Sequence, residues 1–185
     1  MTPANSFLAA LVMQALFALK SVSFVIYGSL LYAASGILFL LPAAVAVNPL
    51  GTVIMSTVPY LIGEKAGAEK VRQIVERHPR AAMLQDMQRR NDFFFCFFIR
   101  LIGFLPSDLI GAYMGASGIR YLPYITGSLL GMLPNMITFP LMGMNIRNIL
   151  SPEFLIAAGI QIGLTLLSLT VYIVYRKMRR LLQGG

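Results

Sequence analysis

The sequence predicts an all-α integral membrane protein: two inverted repeats, each a re-entrant helical hairpin plus a transmembrane helix, with an additional C-terminal transmembrane helix. Three observations predict it. The chain is 57% hydrophobic and 12% charged, with a mean hydropathy of +0.74, too little charge to cover a soluble domain of this length. Residues 21–63, 121–146 and 154–175 carry no charge, and each run exceeds the ~18 to 20 apolar residues that cross a hydrocarbon core. Small-residue landmarks also recur in the same order in the two halves. Lipid offers backbone amides no partners, so spanning elements are helices or closed barrels, and unbroken apolar runs select helices.

The element order follows from these runs. Residues 1–20 form an N-terminal helix: the apolar stretch Phe7 to Leu19 has neither a basic region before it nor a small-residue cleavage site after it, so it reads as retained in the membrane. Residues 21–64 form the first repeat. The charge-free run is too long for one span and short for two full spans with a turn, which favours a hairpin followed by one crossing. Ala34-Ser35-Gly36 supplies a hairpin tip and Asn48-Pro49-Leu50-Gly51 a break before the span.

Residues 65–92 form a cytoplasmic amphipathic linker. Val71, Ile74 and Val75 alternate with Lys70, Arg72, Glu76 and Arg77 at helical spacing, a pattern for a helix lying along the headgroups; Pro79 ends it and a second helix runs through Met83 and Met87. Residues 93–144 form the second repeat. There Ala116-Ser117-Gly118-Ile119 echoes Ala34-Ser35-Gly36-Ile37, Pro123 answers Pro42, Gly131 answers Gly51 and Gly143 answers Gly63, as inverted repeats in transporters do. Residues 153–176 are the last transmembrane helix and 177–185 a basic tail.

Charge sets the orientation. The net charge is +8, and eleven of the fifteen Lys and Arg fall in two blocks, Lys65 to Arg90 and Arg176 to Arg180, with no basic face interleaved with aromatics. Nucleic acid is therefore not the expected partner; the positive-inside rule places both blocks in the cytoplasm, as for a protein of the cell (inner) membrane. Counting hairpins and spans puts both blocks on one side. The glycine pairs Gly63/Gly67, Gly111/Gly115, Gly127/Gly131 and Gly159/Gly163 allow close helix approach, favouring internal packing and leaving a homo-oligomer open.

Two deep ionisable residues mark the candidate site. Arg100 follows an aromatic run and Asp108 follows Pro106-Ser107; a charge near mid-bilayer costs at least ~2.5 to 3.5 kcal/mol, so it points to use. Arg100 offers a planar fork of donors to phosphate or carboxylate. Asp108 is able to change charge, which suits proton coupling in a transport cycle. The competing reading is a static Arg100–Asp108 ion pair that pins the second hairpin. Arg120 is a second anion contact, Arg147 an interface anchor, and Asn135 and Thr138 line a cavity or bond across helices. One Cys and one His leave no disulfide and no credible metal site, and no cofactor or catalytic residue is expected. Nucleotide-loop, nucleophile-elbow and zinc-protease motifs are missing, so the chain is not read as an enzyme.

At these residues the sequence resembles the DedA and VTT-domain superfamily, most closely its SNARE-associated branch, over about Tyr32 to Gly143. The likeness is carried by Phe97-Phe98-Ile99-Arg100, Pro106, Asp108, Gly111, Tyr113 and Gly115, then Gly127, Gly131, Pro134 and Gly143, after Leu61-Ile62-Gly63-Glu64-Lys65-Ala66-Gly67. The resemblance implies inverted repeats and movement of lipids, as flippases of polyprenyl phosphates or scramblases of phospholipids. The bacterial branch carries a Pro-Gly-acid element in its first hairpin, whereas Tyr27 to Gly36 holds no acid, which leaves Asp108 as the deep carboxyl. The expected partners are membrane lipids, with Arg100 and Arg120 drawing in a lipid phosphate and Asp108 coupling the step. The alternatives are a small-solute or ion transporter on the same fold and a non-transporting membrane scaffold.

Overall fold

The structure, a computed structural model, describes residues 3–23, 27–67, 69, 91–103 and 106–183. Among them there are seven helices and no strand. They are α1 (Pro3–Val22), α2 (Gly28–Leu38), α3 (Leu41–Ala66), α4 (Asp92–Ile102), α5 (Ser107–Ala116), α6 (Tyr121–Met144) and α7 (Pro152–Gln183). Stretches of α3, α6 and α7 are long and apolar enough to cross a membrane; at 1.5 Å per residue α3 and α6 measure about 39 and 36 Å. By the same rise α2, α4 and α5 reach only about 15 to 17 Å, half of a ~30 Å hydrocarbon core.

Local chemistry sets the short lengths in the second half. The Asn91 side chain accepts the Phe93 amide at 2.9 Å and starts α4, as an N-cap should. Gly103 adopts the left-handed conformation (φ 62°), which its missing Cβ allows, and its N–H closes the helix on the Ile99 carbonyl. Pro106 then precedes the first turn of α5. Gly118 (φ 71°) turns the chain from α5 towards α6.

Packing is exchanged between the halves. The short helix α5 lies on α3, and the short helix α2 lies on α6; α1 lies on α3 and α4 on α6. The close approaches match. A Cβ on Gly63 would stand 1.9 Å from the Ala112 carbonyl oxygen, and one on Gly143 2.0 Å from that of Ala33. A Cβ on Gly115 would meet the Tyr60 carbonyl oxygen, and one on Gly36 that of Pro140, each at 2.0 Å. Gly51 faces the Phe17 ring and Gly131 the Phe97 carbonyl. Gly127 is likewise packed inside the chain, whereas Gly159 and Gly163 meet nothing within 4 Å.

Three expectations from sequence are revised. Ala34-Ser35-Gly36 is not a hairpin tip but lies within α2: the Ser35 hydroxyl turns back to the Tyr32 carbonyl, and Gly36 serves close approach to Pro140 instead of turning the chain. Asn48-Pro49-Leu50-Gly51 is not a break but lies within α3, where Gly51 serves close approach to the Phe17 ring and proline is tolerated inside packed membrane helices. Gln14 donates to the Val47 carbonyl. Asn48 donates to the Met136 carbonyl at 3.3 Å, the group that Pro140 leaves without its i+4 amide. Finally, α7 runs through residues 177–183 instead of ending at 176. The amphipathic linker helices expected between Val71 and Met87 lie outside the described residues.

Candidate functional site

The site forms where the last turns of α1 and α4 meet the first turns of α2 and α5. Lys20 sits in the last turn of α1 and Arg100 in the last turn of α4, where cations oppose the negative end of a helix dipole. Asp108, in the first turn of α5, is suited in turn to a helix N-terminus.

Asp108 pairs with Lys20. The Lys20 ammonium donates to Asp108 Oδ1 in an ion pair whose side chains are 2% and 10% exposed. The Arg100–Asp108 ion pair is therefore not the one the structure holds, because α1 brings a closer cation to the carboxylate. Sequence reasoning missed Lys20. Its signal is that it is the only charged side chain before residue 64.

Arg100 is 3% exposed, and its partners among the described residues are all neutral. Nε donates to Ser128 Oγ at 3.3 Å, Nη1 to the Ser107 carbonyl at 3.1 Å and Nη2 to the Tyr124 hydroxyl at 2.8 Å. Its guanidinium carbon lies 5.7 Å from the Tyr124 ring centroid, a cation–π distance. Tyr124 is fixed in turn: its hydroxyl donates to the Ser56 carbonyl at 2.9 Å and its ring stacks on Tyr60 at 4.8 Å. The Tyr60 hydroxyl donates to the Ile119 carbonyl. The fork is thus held directly by α5 and α6, with α3 fixing Tyr124, and among the described residues Lys20, Asp108 and Arg100 together leave one positive charge in the interior.

A cavity of about 320 Å³ opens on this fork, lined among others by Tyr27, Gly28, Ser107, Met132 and Asn135. Tyr27 and Pro106 precede α2 and α5, and neither supplies a side-chain cap; the first-turn residues Gly28, Ser29 and Ser107 border the cavity. Uncapped helix N-termini and a guanidinium are the donors that bind phosphate and other anions.

Of the other expected site residues, Asn135 borders the cavity and its Oδ1 accepts from Gln161 Nε2 at 2.9 Å. Thr138 is buried, accepts from the same Gln161 and donates to the Pro134 carbonyl; it bonds across helices. Arg120 is exposed at the start of α6, and it is not among the partners of the Arg100 network. Tyr124, Ser128 and Gln161 escaped the sequence reading, since an uncharged polar residue in an apolar run gives no sign of which face it occupies.

The fold and site thus define a helical membrane protein with a charged interior. The VTT domain matches residues 25–145, a span that covers α2 to α6, and the chain belongs to the VTT-domain family, the DedA/SNARE-associated family. Proteins of this family are membrane-associated and generally transporter-like. No curated protein and no solved structure matches the chain. Lys20 on α1 and Gln161 on α7 both lie outside the matched region.

Proposed function

We propose that this protein moves a phosphate-bearing lipid, such as a phospholipid or a polyprenyl phosphate, across the bilayer. The observation that carries the proposal is the buried Arg100 guanidinium, which faces a cavity and has only neutral partners among the described residues. A lone cation in a medium of low dielectric is costly. A phosphate in the cavity offsets that cost, with the first turns of α2 and α5 adding amide donors. The lipid tail stays in the bilayer.

In this reading α1–α2 and α4–α5 are the re-entrant hairpins of two inverted repeats, and α3 and α6 are the spans. The matched contacts of Gly63 with Ala112 and Gly143 with Ala33 support it. So does the position of Lys20 and Arg100 in the last turns of α1 and α4. The first repeat then begins within α1 and not at residue 21. The linker and the C-terminal end of α7 face the cytoplasm of the cell membrane, by their basic residues. Asp108 couples the step: proton uptake would dissolve its pair with Lys20 and free a second cation for the phosphate. Arg120 acts at the rim, as a first contact for an arriving headgroup.

Purified protein in vesicles tests this. A fluorescent phospholipid in the inner leaflet becomes accessible to a quencher outside when headgroups cross. The parent should speed this transfer, and Arg100→Gln should slow it at least about ten-fold, the equivalent of one lost charged hydrogen bond. Uptake of soluble phosphate without lipid transfer would instead support a small-solute transporter. A folded parent that moves neither would leave the scaffold reading.

A further inference from the structure

Helix α7 is almost entirely uncovered by the rest of the chain, and Ile156, Ile162, Leu166, Leu167 and Ile173 are each more than half or about half exposed, as expected of a helix against lipid. Three polar residues interrupt it at Gln161, Thr165 and Ser168. Spacings of four and three place them on one narrow face. Thr165, on that face, and Thr170, off it, bond back to the Gln161 and Leu166 carbonyls, each at 2.8 Å, a common way for a hydroxyl in a membrane helix to be satisfied. Gln161 has no such local remedy and reaches across to Asn135 and Thr138 of α6.

The polar face of α7 forms one wall of a second cavity, of about 470 Å³, between α7 and the ends of α4 and α6. Ser29, Gly103, Asn135 and Phe139 line both this cavity and the one at Arg100, so the two lie side by side. Leu101, Leu164 and Leu169 also border the second cavity. Its wall is therefore polar along one strip and apolar beside it. That division fits an amphiphile and not a free ion: a headgroup along Gln161, Thr165 and Ser168, and chains over the leucines into the bilayer.

Building on the lipid-transport reading, we propose that the groove between α7 and α4/α6 is the lateral portal of the protein, a hydrated strip through which a phospholipid headgroup enters from the bilayer towards Arg100. Helix α7 lies beyond the matched domain, and its polar strip borders the cavity. The ligand class is a phosphodiester lipid headgroup, admitted with its tails outside.

Cysteine labelling tests the portal separately from transport. In full-length Cys96→Ala protein, single cysteines replace Thr165 and Ser168 on the strip, and Ile162 and Leu166 on the lipid side. The protein is held in a maltoside detergent, free of phosphate, and treated with a charged, water-soluble methanethiosulfonate. Only a hydrated thiol ionises readily, so positions 165 and 168 should react at least about ten-fold faster than 162 and 166. Dihexanoyl phosphatidylglycerol should then slow labelling at 165 and 168 by several-fold, while inorganic phosphate at the same concentration should not. Equal rates at all four positions would overturn the portal. Equal protection by inorganic phosphate would overturn the lipid as its occupant. Labelling as expected, in a protein that moves no lipid in vesicles, would keep the portal and sink the transport reading.

Discussion

Asp108, in the first turn of α5, holds the ammonium of Lys20, in the last turn of α1, across 88 residues of sequence. The contact joins the two halves of the chain at the place where their charges are deepest. It also leaves Arg100, eight residues before Asp108, to the neutral oxygens of Ser128, Ser107 and Tyr124. A chain with the carboxylate on Arg100 would leave Lys20 as the free cation, a point charge without the planar fork.

The Lys20–Asp108 pair should behave as a unit. Lys20→Met or Asp108→Leu alone strands a buried charge and should cost about 3 to 5 kcal/mol. The double variant should recover most of that loss. Thermal unfolding of the purified protein in detergent measures all four corners of the cycle; additive losses would mean that the pair is solvated.

Replacing Arg100 by Lys should not rescue lipid transfer. A lysine keeps the charge but cannot fork to Ser128, Ser107 and Tyr124 together, and planar recognition of phosphate is lost. We expect at least about a ten-fold drop in transfer rate, similar to Arg100→Gln. A rate within two-fold of the parent would show that charge alone suffices.

The glycines divide into two groups by what surrounds them. Gly63→Ala and Gly143→Ala drive a methyl into a facing carbonyl and should each cost about 1 to 3 kcal/mol. Gly159→Ala and Gly163→Ala point into open space and should be neutral or gain up to about 1 kcal/mol from helix propensity. Melting temperatures of the four variants decide it, and equal losses would contradict the packing of α5 on α3 and of α2 on α6.

Asn48 and Pro140 should be coupled. Asn48→Ala removes the donor to the Met136 carbonyl, at a cost of about 1 to 3 kcal/mol for a buried acceptor. In a Pro140→Ala background the helix regains its own amide donor to Met136, and the same Asn48 substitution should cost at least 1 kcal/mol less. A double-mutant cycle on unfolding reads this directly, and no coupling would mean that the Asn48 bond carries no stability.

Much of the fold was legible along the chain. Gly103 and Pro106 mark where α4 stops and α5 starts, because one residue permits a left-handed cap and the other cannot continue a helix. Long charge-free runs gave α3, α6 and α7. The same rules misplaced the first tip and the first break: Gly36 and Pro49 carry the composition of turns, yet in a membrane helix such residues equally mark close packing.

By itself, then, the sequence determined a helical membrane protein with Arg100 and Asp108 inside it, because hydrocarbon thickness and the cost of a buried charge act on local composition. Only the tertiary structure decided that Lys20 takes the carboxylate, that Tyr124 and Ser128 hold the guanidinium, and that Gln161 closes a groove against Asn135. Those choices depend on which helix faces are brought together by contacts such as Gly63 against Ala112 and Gly143 against Ala33. Such pairings run between helices far apart in the chain, where no spacing rule reaches.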